Sequence, residues 1–163
     1  MKKSELAWMA GVFDGEGCIT IYKSRANSRQ NPRYVLQMHV TNTEQELLRS
    51  FLVFGGSIYQ MTGASRNPKA KPTFKWVVGS NVALKVLRII RLLLRSPRKI
   101  RAAELAIEFQ EQKSHKRTKD PSYTVLQEEY HLRMMENNRR GVTSNESTVT
   151  GSTEGAETMP SKP

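Results

Sequence analysis

The chain has 163 residues, a formal net charge of +11 and one cysteine, Cys18. That length fits one domain with a modest core, the lone cysteine excludes an intramolecular disulfide or a cysteine-cluster zinc site, and no apolar run approaches the roughly 18 residues of a transmembrane helix. Residues 141–163 carry −2 (Lys162 against Glu146, Glu154 and Glu157), which leaves +13 on residues 1–140; such a balance favours a polyanionic partner, because each neutralised phosphate releases counterions.

Met1-Lys2-Lys3 is followed by acidic Glu5 rather than by a signal-peptide core, so a soluble intracellular protein is expected, which suits the reducing compartment implied by a single thiol. Ser4 reads as an N-cap and Glu5 as a first-turn acid, and Gly15 and Gly17 loosen the chain at the other end, which predicts a helix stopping near Asp14. Ala7, Gly11 and Gly15 recur every four residues and share a face that lets another helix backbone approach closely. No second helix of this kind occurs in the chain, so a second copy is the expected partner, with two-fold symmetry setting two Glu16 side chains side by side.

Residues 18–25 place Ile19 and Ile21 on one face and Thr20, Tyr22 and Ser24 on the other, the pattern of a half-buried strand. After the turn-rich Ala26 to Pro32, a second strand alternates Tyr34, Leu36, Met38 and Val40 with Arg33, Val35, Gln37 and His39. Thr43 and Glu46 form a capping-box signature for a short helix to about Phe51, closed by Gly55-Gly56. The pattern repeats with a β-pair at Ile58 to Thr62 and Thr73 to Val78 and an amphipathic helix from Val82 to Leu94. Two ββα units predict an α+β fold, a sheet of four strands with helices on one face. Further helices are expected from about Lys99 to Gln112 and Ser122 to Arg139. Residues 141–163, rich in Ser, Thr and Gly, read as a disordered tail, giving one domain over 1–140.

The polar strand faces offer Thr20, Tyr22, Ser24, Arg33, Gln37, His39, Gln60, Thr62, Thr73 and Lys75 as readers of DNA bases in the major groove, where Arg addresses guanine and Gln adenine. Loop residues Arg25, Arg29, Arg66, Lys69 and Lys71 are placed to meet phosphates. Phe74 and Trp76 alternate with these groups and are assigned to the core, as is Trp8.

The stretch Met9 to Gly17, MAGVFDGEG, resembles the nine-residue signature of the LAGLIDADG homing endonucleases, with Ala10, Gly11, Asp14, Glu16 and Gly17 matching by identity or acid-for-acid exchange. The order of elements from residue 5 to about 112 is similar to that family's αββαββα core and its four-stranded antiparallel saddle; the final 23 residues have no counterpart. The resemblance implies a homodimer on the Ala7, Ala10, Gly11 and Asp14 face that cuts a long, partly palindromic double-stranded DNA site, encoded within an intron.

It further implies that Glu16 and a nearby backbone carbonyl, Gly15, hold Mg²⁺ beside the scissile phosphates. Asp14 reads instead as an acceptor at the helix end. Lys99, with Arg98 as the alternative, takes the place of a basic catalytic group, and Asn42, with His39 competing, that of a polar group ordering active-site water. Glu46 stands where some relatives carry a basic residue, a departure that bears on proton transfer. Two other functions fit the same features: an intron maturase or RNA-binding relative that no longer cuts, and a DNA-binding regulator with a degenerate site.

Overall fold

The computed structural model describes residues 1–24, 32–61, 71–115 and 121–139. Thr62, Arg25, Arg29, Arg66, Lys69 and the tail over 141–163 lie outside these residues. The order is α1 (Lys3–Glu16), β1 (Gly17–Ser24), β2 (Arg33–Asn42), α2 (Gln45–Arg49), a 3-10 segment (Ser50–Phe54), β3 (Ser57–Met61), β4 (Thr73–Gly79), α3 (Ser80–Ile90), α4 (Pro97–His115) and α5 (Pro121–Asn138). The strands form one antiparallel sheet in the order β1-β2-β4-β3, the α+β architecture expected from the two ββα units. Among the described residues no helix is long and apolar enough to cross a membrane.

Strict alternation makes the sheet one-sided. Ile19 and Ile21, then Tyr34, Leu36, Met38 and Val40, then Trp76 and Val78 are buried on one face, against Phe13 of α1, Leu87 and Ile90 of α3, and Ala102, Ala106 and Phe109 of α4. Trp76 anchors the second unit: its indole N–H donates to the Gly55 carbonyl at 2.9 Å, and its ring lies 5.0 Å from that of Phe51. The turn before β3 needs glycine at Gly56, where φ is +87° and an added Cβ would sit 2.4 Å from the Val77 carbonyl oxygen.

Several local expectations are corrected. Helix α1 begins at Lys3, so Ser4 is inside it; the first turn is closed instead by Glu5 accepting the Lys2 N–H at 2.9 Å. The helix also runs past Asp14 to Glu16, because Asp14 is satisfied by another part of the chain and does not turn back on its own backbone. The Thr43–Glu46 capping box does not form: α2 starts after Glu44, the Asn42 side chain makes the turn by accepting the Glu44 N–H at 2.9 Å, and Glu46 pairs with Arg49 at 3.2 Å. Helix α3 starts at Ser80 and gives way to a 3-10 turn over Arg91–Leu93. Trp8 is not core; it is 46% exposed, pointing away from the face that buries Met9 and Phe13.

Candidate active site

Glu16 is the last residue of α1 and is exposed. The chain passes directly into β1 because Gly17 has no side chain: an added Cβ would lie 2.4 Å from the Phe13 carbonyl oxygen and 2.5 Å from the Phe13 ring, which is fully buried. A glycine here lets a strand leave a helix end without displacing the core.

The carboxylate of Asp14 holds this junction to the start of α4. Its Oδ2 accepts the Arg95 N–H at 2.6 Å and its Oδ1 the Ser96 N–H at 3.3 Å. That tether brings Lys99, on the first turn of α4, back over the junction, where its ammonium donates to the Gly17 carbonyl and stands 5.8 Å from the centre of the Phe13 ring. Arg98, the alternative read from the sequence, is exposed and its side chain leaves on another face of α4. The structure thus brings Lys99 of α4 to the α1–β1 junction of Glu16 and Gly17, across 82 residues of sequence between Gly17 and Lys99.

Asn42 ends β2, two residues beyond Val40, the partner of Gly17 in the β1–β2 ladder. It pairs with Phe74 across the β2–β4 ladder and so shares the core-side face, with its oxygen engaged by Glu44. Thr41, paired with Lys75, takes the outward position in that row. The register likewise corrects Gln60. It pairs with Phe74 and belongs to the core-side face, whereas Tyr59, opposite Lys75, is the β3 residue that joins the outer face. The alternation of β3 is too short to reveal this; only its pairing with β4 does.

The outer face therefore carries Thr20, Tyr22 and Ser24 of β1, Arg33, Gln37, His39 and Thr41 of β2, Thr73 and Lys75 of β4, and Tyr59 of β3. Tyr22 and Tyr59 are 40% and 46% exposed, two flat amphipathic groups on an open polar sheet. His39 lies between Cys18 and Val77 in its row. Burial, then the positive charges of Lys75 and Lys99, lower its pKa to about 4, so the ring is neutral at ordinary pH. Its Nδ1 is buried without a hydrogen-bond partner among the described residues. A neutral imidazole beside two lysines adds no charge of its own to this face.

The small-residue face of α1 is divided. Ala7, Gly11 and Gly15 are exposed beside Trp8, and added Cβ atoms at Gly11 and Gly15 meet nothing within 4 Å. Ala10 is fully buried in the core of its own chain and has no surface to offer a second copy, a correction that follows from its lying beside Phe13 and Met9. Asp14 uses both oxygens within the chain.

The donors at this junction fit a hard divalent cation. The end of a helix leaves backbone carbonyls without intrahelical partners, Glu16 adds a carboxylate, and the space around Gly15 is open. Among the described residues no group of three or more His, Cys, Asp or Glu could hold a metal by itself. One carboxylate and one carbonyl per chain match an ion such as Mg²⁺, which retains waters and takes the rest of its ligands from phosphate oxygens.

No family model matches the chain, and no curated protein matches it by sequence. Solved structures do. The chain is similar to the homing endonuclease I-CvuI in complex with the I-CreI target (TM-score 0.70, 18% identity, 86% of this chain and 85% of that one). It is similar to the archaeal intron-encoded homing endonuclease I-Vdi141I complexed with DNA (TM-score 0.71, 13% identity, 88% and 90%). The group I intron-encoded homing endonuclease I-CeuI complexed with DNA also matches (TM-score 0.69, 17% identity, 88% and 70%). The fold is that of the LAGLIDADG homing endonucleases.

Proposed function

We propose that this chain, built on the LAGLIDADG endonuclease fold, is a site-specific double-strand DNA endonuclease that works as a homodimer with Mg²⁺. The observation that carries this reading is the convergence of Glu16, the Gly17 carbonyl and Lys99 at one end of a basic, polar sheet face. Pairing of two α1 helices through Ala7, Gly11 and Gly15 sets two Glu16 side chains at the centre of a continuous sheet surface. Thr20, Tyr22, Gln37, His39, Lys75 and Tyr59 face the major groove on each half-site, and Arg33 meets the backbone at the outer end. Solved structures similar to it include homing endonucleases in complex with DNA, in the presence of Mg or Ca in two of them.

When bound, Mg²⁺ lowers the pKa of a water and neutralises charge on the scissile phosphate. Glu16 and the Gly15 carbonyl would hold that ion. Lys99 directs its positive charge at the phosphoryl oxygens as negative charge builds there. Its bond to Gly17 fixes the ammonium before DNA arrives, so little reorganisation is required at the moment of reaction.

Cleavage of DNA spanning the intron-free allele of the gene's own locus tests the reading, with the corresponding intron RNA as a parallel substrate. The parent cuts both DNA strands with Mg²⁺. Glu16→Gln abolishes cutting and stays within about tenfold of the parent in binding, roughly 1.4 kcal/mol. Full cutting by Glu16→Gln removes Glu16 from the mechanism, and tight binding of RNA without DNA cleavage makes the chain a maturase.

A further inference from the structure

Helix α5 lies along β1, which among the described residues is an edge strand whose outward carbonyls have no neighbouring strand. Side chains of α5 take up those carbonyls in succession. His131 Nδ1 lies 2.6 Å from the Ile21 carbonyl, which can only accept, so this nitrogen carries the proton. Asn138 Nδ2 donates to the Ile19 carbonyl at 2.8 Å. Farther up the strand Glu128 accepts from Lys23 at 2.5 Å and from the Tyr34 hydroxyl. Buried Tyr123, Tyr130 and Met134 anchor the helix from the other side.

The last turn of α5 does something more. Asn137, adjacent to Asn138, donates from Nδ2 to the Arg98 carbonyl at 3.2 Å. Successive helical residues point about 100° apart, so these two amides reach two different segments from one helix end. Asn138 holds the carbonyl two residues after Gly17, and Asn137 holds the carbonyl one residue before Lys99. These are the two segments whose relative placement decides where the Lys99 ammonium stands with respect to Glu16.

We propose that Asn137 and Asn138 are positioning residues, a clip at the end of α5 that sets the distance between Lys99 and the Glu16–Gly17 junction. This rests on the nuclease reading for its consequence in catalysis, but the clip itself is a statement about the free protein. The Asp14 tether fixes the chain before α4; the Asn pair fixes the first turn of α4 and the start of β1. An amide suits the task because each Nδ2 donates to a carbonyl without bringing charge beside Lys99.

The experiment compares the full-length parent with the near-isosteric double variant Asn137→Asp/Asn138→Asp, which removes both donors and turns an oxygen toward each carbonyl. A second double variant, Asn137→Gln/Asn138→Gln, retains the donors. The first readout needs no DNA: the rate at which each lysine is acylated by a water-soluble amine reagent, followed by mass spectrometry. Lys99 is expected to react at least fivefold faster in the Asp variant, with Lys75 and Lys85 unchanged and the Gln variant intermediate.

The second readout is single-turnover cleavage at saturating DNA and Mg²⁺. A fall of ten- to a hundredfold in rate with the DNA dissociation constant within threefold, and partial recovery in the Gln variant, marks a positioning role. If the Asp variant unfolds, the Gln variant carries both readouts against the parent. Unchanged Lys99 protection in a folded variant overturns the clip. So does a loss of stability with the cleavage rate intact. If the parent cuts no DNA, the nuclease reading fails, and Lys99 protection still decides the clip.

Discussion

Asp14 Oδ2 accepts the backbone N–H of Arg95 at 2.6 Å, so one carboxylate near the end of the first helix holds the approach to the fourth. Removing it leaves the Arg95 and Ser96 amides without their acceptor and frees the segment that carries Lys99. Asp14→Ala is expected to cost about 1–2 kcal/mol in urea denaturation and to lower cleavage more than DNA binding. Asp14→Asn keeps one acceptor oxygen and loses less on both counts.

Gly17→Ala tests the junction itself. With the Phe13 carbonyl oxygen 2.4 Å from the added Cβ and the Phe13 ring fully buried, neither can move aside cheaply. The expected destabilisation is about 2–3 kcal/mol, in the range of overpacked cores, read as a lower denaturation midpoint at constant slope.

Gly11→Leu tests assembly without disturbing the protomer. Nothing lies within 4 Å of a Cβ at Gly11, and leucine favours a helix over glycine by up to about 1 kcal/mol. The protomer should keep or gain thermal stability while sedimentation shifts from dimer to monomer and double-strand cutting is lost. A parent that sediments as a monomer and cuts both strands sinks the homodimer.

An NMR titration of His39 is expected to give a midpoint near pH 4, against 6.5 for an ordinary histidine, because burial and then Lys75 and Lys99 disfavour its charged form. The folded value lies below the unfolded one, so the unfolded chain takes up the proton first. The stability contributed by the neutral ring is complete above about pH 6.5 and is lost as pH falls toward 4. Lys75→Met should raise the midpoint, because it removes a repelling charge, yet leave it below 6.5, because burial is the larger cause.

DNA affinity should fall about a thousandfold between 50 and 200 mM salt if the dimer neutralises six or more phosphates. We also propose that residues 141–163 are dispensable: their composition offers little apolar surface to offset the entropy of ordering. A chain ending at Arg140 should fold and cut as the parent does, whereas one ending at Met135 loses Asn137 and Asn138 and should cut poorly. A folded chain ending at Arg140 that no longer binds its site would make the tail a recognition element.

The sequence by itself determined the two ββα units, the one-sided sheet and the exposed place of Glu16 at a helix end, because side-chain periodicity and the Gly17 break are local properties of the chain. Core assignment of Trp76 followed from the same alternation, and Trp8 failed it because a 14-residue helix with small residues on several sides leaves its buried stripe ambiguous. Tertiary structure alone decided the rest. The face on which Gln60, Tyr59 and Asn42 stand depends on which residue each meets across β4, a register no single strand encodes. The place of Lys99 over the Gly17 carbonyl depends on where Asp14 pins the segment before α4, and the contacts of Asn137 and Asn138 depend on α5 lying against a strand more than a hundred residues away in sequence. Contacts of that separation arise from the packing of whole elements, and the residues that make them look, along the chain, like any other polar surface.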